Sequence, residues 1–355
     1  MEILIIQTAF PGDLYLSLPL LKQIRRKFPQ GKVRLMCRKG LGKMFLEHQI
    51  VDSVHEIEKG KSSSYKDTLK ELRQIEFDWV FCPHRSYRTA LFVWQLKKKV
   101  AVGYSLWWNA PFFQKRVLYN REIPDALRQL ELFTCASEDF QKQWAQESNK
   151  QRFLGVSQTE VVSFEDNPLP EWMSAEVTSW KPLKKRICLA PGSVWPTKKW
   201  PSSRYAELAK RFLESDYEVC LVGSAADSRD CELVAQADDR IQNLCGKTSL
   251  LELMEIFQES QLLISNDSGA MHVAAATSLP TVSIFGPTVP EFGYRPWQNR
   301  VRIVQEILSC RPCSPHGTKS CPIGTHACMN NLSSEKVFQS AMQLIGIGSS
   351  KGKRS

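Results

Sequence analysis

The sequence lacks any segment typical of a membrane-spanning or exported protein. No run approaches the roughly 18 to 20 uninterrupted apolar residues that a membrane helix needs. The opening residues, MEILIIQTAF, carry no basic leader of the secretory kind. We therefore expect a protein that stays in the cytoplasm.

The sequence also lacks the short motifs of several common ligand-binding classes. It contains no G-x-G-x-x-G of the Rossmann dehydrogenases and no G-x-x-x-x-G-K-[ST] of the P-loop NTPases. Zinc-finger spacings and RNP aromatic pairs are absent too, so we expect no nucleic-acid partner.

The charge of the chain is basic. Lys and Arg total 47 against 37 Asp and Glu, and the resulting formal charge of +10 favours anionic partners such as phosphates or acidic lipid surfaces. Part of the excess lies in a polar tail with Lys351, Lys353 and Arg354, which we expect to be solvated and to contribute little to any site.

Length and pattern predict two α/β domains. At 355 residues the chain exceeds the size at which a single hydrophobic core stops growing. In the first half, helical patterns such as 14–28 and 89–96 alternate with apolar runs of strand length at 1–7, 33–37, 78–82 and 100–103. This alternation is typical of a parallel sheet.

The second half repeats this pattern after a break. A long helical pattern at 125–146 leads into a polar, Pro-containing stretch at 165–182, where we place the domain boundary, with domains at 1–170 and 171–355. Beyond it, strands are predicted at 186–190, 217–222, 262–265 and 281–285. The second domain is therefore also predicted to be doubly wound.

Four turns place small and polar residues directly after these strands: Pro191-Gly192-Ser193, Gly223-Ser224, Asn266-Asp267-Ser268-Gly269 and Gly286-Pro287-Thr288. Ligands of open α/β sheets bind at such carboxyl ends. Ser268 and Gly269 open a predicted helix whose free N–H groups suit a phosphate, and His272 lies one helical turn further on. Turn chemistry alone explains any one of these, but the four together predict a phosphate-bearing ligand.

The same turns lie in longer segments that resemble the ADP-heptose:lipopolysaccharide heptosyltransferases, glycosyltransferase family 9. These segments are PGS at 191–193, WPTKKWP at 195–201, YAELA at 205–209, NDSGAMHVAAA at 266–276 and FGPT at 285–288. In the first half, FPGD at 10–13 and RSYRTA at 85–90 resemble the family's strand-to-helix turn ending in Gly-Asp and its basic loop before a helix. The closest likeness is to the second heptosyltransferase type.

The resemblance implies a GT-B fold, in which two Rossmann-like domains face each other across a cleft, with the acceptor on domain 1–170 and the donor on domain 171–355. It also implies an inverting, metal-independent transfer of heptose from ADP-heptose to the lipopolysaccharide inner core, with no cofactor. Asp13 would be the general base. The implied donor-binding residues are Ser193, Lys198, Thr248, Asp267, Ser268, Gly269 and His272, and the implied acceptor residues are Arg85, Ser86 and Arg88.

The chemistry of transfer agrees with these roles. Inversion needs a carboxylate near the acceptor hydroxyl to accept its proton, and Asp13 lies at the mouth of the first β-turn-α unit. Lys198, His272 and the amides at a helix start can stabilise the leaving diphosphate. The alternative role for Asp13 is as N-cap of the helix predicted at 14–28.

One segment departs from the best-known family pattern. Cys310, Cys313, Cys321 and Cys328 lie close together in the sequence, with His316 and His326 among them. Because disulfides are disfavoured in the cytoplasm, a zinc or iron–sulfur site is one interpretation, and reduced thiols in a surface insertion are the other. The second C-x-x-C of a zinc ribbon is missing, and we assign the segment no part in catalysis.

Other functions remain open from the sequence. The chain could be a related glycosyltransferase that uses another nucleotide sugar. It could also be a non-catalytic nucleotide-binding protein, against which the intact Asp13 argues, or an RNA-binding or metal-stabilised interaction protein built on the cysteines. A lipid-anchored acceptor would bring the protein into peripheral contact with the inner face of the cytoplasmic membrane, where each well-placed Lys or Arg contributes roughly 1 kcal/mol.

Overall fold

The computed structural model describes residues 1–147, 149–156, 158–165, 168–178 and 180–351, with side chains as far as residue 346. The chain forms two compact units: unit 1 is Met1–Gln151 with Pro170–Ala175, and unit 2 is Arg152–Leu169 with Glu176–Ser355. The boundary predicted at 170/171 lies one residue after the point where the chain passes from unit 2 back to unit 1, and residues 152–169, predicted in the first domain, belong to unit 2. Lys353 and Arg354 of the predicted tail lie outside the described residues.

Unit 1 is built on one parallel sheet. Its strands are β1 Glu2–Ile6, β2 Lys32–Arg38, β3 Ser53–Ile57, β4 Glu76–Cys82, β5 Lys97–Ser105 and β6 Lys115–Leu118. They pair in the order β3-β2-β1-β4-β5-β6. Its helices are α1 Pro11–Tyr15, α2 Leu18–Lys27, α3 Lys43–Glu47, α4 Ser62–Leu72, α5 Tyr87–Trp94, α6 Asp125–Glu131 and α7 Glu138–Gln146.

Two helical predictions in unit 1 need correction. The single helix predicted at 14–28 is α1 followed by α2, because Pro19 has no N–H to continue the first helix but fits the first turn of the second. The helix predicted at 125–146 is α6, a 3-10 turn and then α7. The last of these begins where Ser137 Oγ accepts a hydrogen bond from Phe140 N at 3.3 Å.

Unit 2 is built on a seven-stranded sheet. Its strands are β7 Val161–Ser163, β8 Arg186–Ala190, β9 Glu218–Leu221, β10 Gln242–Asn243, β11 Leu262–Asn266, β12 Thr281–Phe285 and β13 Val301–Gln305. They pair in the order β10-β9-β8-β11-β12-β13-β7, all parallel except β7. Its helices are α8 Ser202–Glu214, α9 Ser228–Ala235, α10 Leu250–Glu259, α11 Gly269–Ala276, α12 Ala327–Asn330 and α13 Ser334–Lys351.

The buried central strands explain why the predictions in unit 2 succeed. Strands of a parallel sheet that are covered on both faces read as continuous apolar runs. The predicted strands 186–190 and 281–285 coincide with β8 and β12, and those at 217–222 and 262–265 differ from β9 and β11 by at most one residue at each end. The α/β class is confirmed. In the described part of the chain, no helix combines the length and the hydropathy of a membrane span.

Candidate functional site

Asp13 lies in the short helix that follows the carboxyl end of β1. It is the third residue of α1, and its Oδ2 accepts a hydrogen bond from the Phe10 backbone N at 3.0 Å. The contact with the helix start that we considered as the alternative role is therefore present, although the N-cap position belongs to Phe10. Asp13 is only partly buried, so a role at the helix start leaves room for a second one.

A buried polar network holds the backbone of Asp13. Gln129 Nε2 donates to the Asp13 carbonyl at 3.1 Å and to Asp125 Oδ2 at 2.7 Å. Ser17 Oγ donates to the same carbonyl at 3.1 Å, and Arg128 Nη2 donates to Asp125 Oδ1 at 2.9 Å. Helix α6 thus fixes a residue that lies more than a hundred positions earlier in the chain.

Burial and the charge of Asp125 both raise the proton affinity of Asp13. Burial, followed by the negative charge of Asp125, raises the pKa of Asp13 to about 6, while the hydrogen bond from Phe10 and the charge of Arg38 oppose that rise. A general base works best when its pKa lies near the working pH. Asp13 is therefore mainly ionised at neutral pH but close to the point at which it accepts a proton.

Basic groups that the sequence analysis missed surround this end of the sheet. Arg38 ends β2, where its Nε donates to the Thr8 carbonyl at 3.0 Å and its guanidinium lies 4.7 Å from the centre of the Phe10 ring. Lys59 follows β3, and its Nζ lies 5.6 Å from the same ring. Burial, with Lys59 and Arg38 nearby, lowers the pKa of His84 to about 4, so that imidazole is neutral at pH 7.

The predicted acceptor residues have separate environments. Ser86 is the N-cap of α5, where its Oγ accepts from Thr89 N at 3.3 Å. The Arg85 guanidinium lies 3.8 Å from the centre of the Tyr119 ring, and Arg85 and Ser86 line a small pocket with His84. Arg88 points to the Tyr65 ring instead, at 5.6 Å, and does not line that pocket.

In unit 2, the predicted donor residues meet at the carboxyl ends of the central strands. Lys198 Nζ lies 2.6 Å from Asp267 Oδ2, and Thr288 Oγ1 donates to the same oxygen at 2.6 Å. The side chains of Lys198 and Asp267 are 12% and 8% exposed. Burial of an ion pair is favourable only when its geometry is good and its remaining lone pairs are hydrogen-bonded, which Thr288 helps to provide.

The start of α11 lies beside this ion pair. Ser268 is the N-cap of the helix, and its Oγ shares a hydrogen bond with Ser265 Oγ at 3.1 Å. At Gly269 a Cβ atom would meet no atom within 4 Å apart from the adjoining chain, so the space beside the first helical residue is open. His272 follows in the first turn and is buried. The arrangement suits a phosphate near free helical N–H groups.

Asn266 fixes the segment that carries two predicted donor residues, Ser193 and Lys198. Its Nδ2 donates to the Pro191 carbonyl at 2.7 Å, and its Oδ1 accepts from Trp200 N at 3.1 Å. Both ends of the segment are thereby attached to the end of β11. The sequence analysis gave Asn266 no role because its partners lie about 70 residues away.

Thr248 is placed differently from the other predicted donor residues. It lies between β10, at the far edge of the sheet, and α10, whose N-cap is Ser249. None of the described hydrogen bonds joins it to Ser193 or Lys198. Its role against the base or ribose stays a prediction.

The four clustered cysteines are the residues on which the metal interpretation depends. Among the described residues, which include all of 310–328, no three His, Cys, Asp or Glu side chains are arranged to hold a metal ion. The four thiols are free of disulfides, with Cys328 buried and the other three partly exposed. The metal interpretation stays a hypothesis.

Comparison with known proteins supplies the family. Residues 66–323 match the family described as Glycosyltransferase family 9 (heptosyltransferase). Lipopolysaccharide heptosyltransferase 2 of Salmonella typhimurium is 26% identical over 97% of this chain and 99% of its own length. Lipooligosaccharide heptosyltransferase 2 of Campylobacter jejuni is 35% identical over 46% of this chain. The match spans 51%, about half, of that relative's length.

Solved structures show the same fold. The E. coli ADP-heptose LPS heptosyltransferase II matches with a TM-score of 0.75 at 22% identity, over 98% of this chain and 100% of the other. The E. coli heptosyltransferase WaaC with ADP matches with a TM-score of 0.70 at 18% identity, over 97% and 100%. The GT-B fold expected from the sequence is confirmed by these likenesses.

Proposed function

The chain belongs to glycosyltransferase family 9, the heptosyltransferase family, and from that premise we propose that it transfers a heptose from ADP-heptose to the inner core of lipopolysaccharide. The observation that carries the proposal is the cluster of Lys198, Asp267 and Thr288 beside the open start of α11. Relatives named lipopolysaccharide heptosyltransferase 2 align over most of the chain, which supports the choice of sugar and acceptor.

In this proposal unit 2 holds the donor. The diphosphate of ADP-heptose lies against Lys198, His272 and the amides at Ser268 and Gly269, while Ser193 contacts it from the end of β8. Related structures hold ADP and an ADP-heptose analogue, which supports adenine as the base. Because Lys198 already forms an ion pair with Asp267, it is held in place and shares its charge with the diphosphate when the donor arrives.

The reaction we propose is a single inverting displacement. The oxygen of the acceptor hydroxyl attacks the anomeric carbon of the heptose while the bond from that carbon to the diphosphate breaks. The hydroxyl proton passes to the Asp13 carboxylate, and the electron pair of the broken bond leaves with ADP. The negative charge that develops on ADP is stabilised by Lys198, His272 and the helix dipole. The proposed step therefore uses no metal ion.

Unit 1 holds the acceptor in this proposal. The basic residues around Asp13 suit an anionic acceptor, such as a phosphorylated lipopolysaccharide core. Arg38 and Lys59 lie near Asp13, and Arg85 lines the adjacent pocket. We therefore propose that Arg38, Lys59 and Arg85 bind the acceptor, and we regard Arg88 as a weaker candidate.

A surface of unit 1 supports peripheral contact with the inner face of the cytoplasmic membrane. Tyr87, Leu91 and Trp94 share one face of α5 and are 60%, 37% and 58% exposed. From residue 79 to 121 the chain carries eight basic and no acidic residues. Aromatic rings and basic side chains together suit a membrane interface with anionic lipids.

Calorimetry with nucleotides tests the donor half of the proposal. ADP should bind the full chain more tightly than UDP or GDP, and Lys198→Ala should weaken ADP binding. If the parent protein had no measurable affinity for ADP, the donor assignment would be removed.

Sedimentation with lipid vesicles tests the membrane contact. The protein should pellet with vesicles that contain an anionic lipid and less so with neutral phosphatidylcholine vesicles. Trp94→Ser should reduce the bound fraction, whereas Leu183→Ser, at an exposed apolar residue of unit 2, should not. Equal binding by both variants and the parent would rule out this surface.

A further inference from the structure

The segment from Cys310 to Cys328, here called the cysteine segment, contacts the loop that carries Thr288. The Cys313 backbone N donates to the Pro287 carbonyl at 2.9 Å. Arg311 donates to the carbonyl oxygens of Gly286 and Thr288, the latter at 2.7 Å. The beginning of the segment therefore fixes the loop after β12.

The later part of the cysteine segment holds the turn Pro196–Lys198. Thr197 Oγ1 donates to the Thr318 carbonyl at 2.8 Å, and Thr318 N donates back to Thr197 Oγ1 at 2.8 Å. His326 Nε2 lies 2.8 Å from the Thr197 carbonyl. Thr197 is 4% exposed, and these contacts bind both its hydroxyl and its carbonyl to residues more than 120 positions away.

The segment also touches Lys198 itself. Gly317 adopts a φ of +92°, and a Cβ atom there would lie 2.9 Å from Trp195 Cβ and 3.2 Å from Lys198 Cγ. A larger residue would be disfavoured by the left-handed backbone and would also press on the stem of the Lys198 side chain. The close approach requires glycine and leaves the Lys198 stem little room to move.

We propose that the cysteine segment is a positioning element of the donor site, in which Thr318 and His326 hold Thr197 so that Lys198 is directed at the donor diphosphate. The inference rests on the proposed function, because it takes Lys198 to bind the donor. A lysine side chain has many rotamers, and a binding group that is already fixed loses less freedom when its ligand arrives. Thr197, Thr318 and His326 themselves need not touch the donor.

A matched pair of variants tests this role. Thr197→Val removes the hydroxyl and keeps the shape of the side chain, whereas Thr197→Ser keeps the hydroxyl. Thr197→Val should weaken ADP binding about 3- to 10-fold, as expected for the loss of a net hydrogen-bond contribution, and Thr197→Ser should bind like the parent. Ile323→Ala, at an exposed position of the same segment, serves as a control and should bind ADP normally. Equal ADP affinity in Thr197→Val and the parent would overturn the inference.

A double-mutant cycle separates positioning from general destabilisation. If Thr197 acts through Lys198, then Thr197→Val should cause no further loss of ADP affinity in a Lys198→Ala background. Additive losses would mean that Thr197 acts by another route, and the inference would fail. Melting temperatures are recorded for all variants, because a purely structural role lowers the Tm and leaves the ADP affinity of the folded protein unchanged.

The cycle also distinguishes this inference from the proposed function. If Lys198→Ala left ADP affinity unchanged, the donor role of Lys198 would fail and the inference with it. If Lys198→Ala weakened ADP binding and Thr197→Val did not, only the inference would fail. Should Thr197→Val not fold, His326→Leu and His326→Gln give the same comparison, because Gln retains an N–H for the Thr197 carbonyl. Weaker ADP binding in His326→Leu alone would support the positioning role. Equal ADP binding in both His326 variants would overturn it.

Discussion

The two candidate sites treat their key charges in opposite ways. In unit 1, burial raises the pKa of Asp13, and the negative charge of a second carboxylate, Asp125, adds to that rise. In unit 2, Lys198 is paired directly with Asp267 at 2.6 Å. A base that must accept a proton gains from a less stable negative charge, whereas a cation that must meet a diphosphate gains from a fixed direction. The comparison predicts that altering Asp13 lowers turnover but not ADP affinity, whereas altering Lys198 lowers both.

The largest effect is expected at Asp13. Asp13→Asn can still accept the hydrogen bond from Phe10 N but cannot accept a proton at neutral pH. Turnover should fall by about 10²- to 10⁴-fold while the Kd for ADP stays unchanged. Steady-state kinetics and calorimetry on the same preparation provide the two measurements.

Asp13→Ala is the control for the helix-start contact. It should be at least as inactive as Asp13→Asn and should lose about 1 kcal/mol of unfolding free energy besides, because the contact with Phe10 N is removed. If Asp13→Asn turned over within a few-fold of the parent, Asp13 would serve only the helix start.

The second largest effect is expected at Lys198 in unit 2. Lys198→Ala should weaken ADP binding and lower turnover together, since the cation meets both the bound and the departing diphosphate. A charge-assisted contact worth about 1.5 to 3 kcal/mol corresponds to a loss of roughly 10- to 100-fold. His272→Ala should act in the same direction to a smaller extent. Unchanged kinetics in both variants would place the donor elsewhere.

The pH dependence of turnover should report the pKa of Asp13. The kcat/KM of the parent should fall as the pH drops through about 6, because Asp13 becomes protonated. Asp125→Asn removes a neighbouring negative charge, which lowers the pKa of Asp13 and moves this fall to more acidic pH. Profiles of kcat/KM between pH 5 and pH 8 are compared for the parent and Asp125→Asn. An unshifted profile in Asp125→Asn would mean that the charge of Asp125 does not influence the pKa of Asp13.

The smallest effect is expected at the four cysteines. Replacing Cys310, Cys313, Cys321 and Cys328 by Ser should leave turnover within a few-fold of the parent, because the contacts of this segment with Thr197 and Pro287 use no sulfur atom. A chelator should likewise leave turnover intact. Stoichiometric metal in the purified protein, with activity that disappears on its removal, would contradict both expectations.

Local patterns were enough to predict the elements that are buried on both faces. The runs at β8 and β12 contain only buried residues, and most of these residues are apolar. The short strand β6 carries Lys115 and Arg116 in four residues, with no buried position, and gives no such signal. The break between α1 and α2 was missed because the apolar spacing continues across Pro19, although the helical backbone hydrogen bonds do not.

The resemblance to a family supplied the predicted site residues, but not the residues that hold them in place. Gln129 reaches Asp13 across 116 positions, and Thr318 reaches Thr197 across 121. No local pattern couples residues that far apart. The clustering of Arg38 and Lys59 had a usable signal, since both lie at the ends of neighbouring parallel strands, and ligands of such sheets bind there.

The measurement that tests the central claim most directly is turnover of ADP-heptose against a lipopolysaccharide core that lacks heptose, followed by mass spectrometry. We expect the core to gain one heptose, with release of ADP, and expect no product when Asp13→Asn replaces the parent over the same time. Transfer from a different nucleotide sugar but not from ADP-heptose, or no transfer to this core at all, would contradict the account.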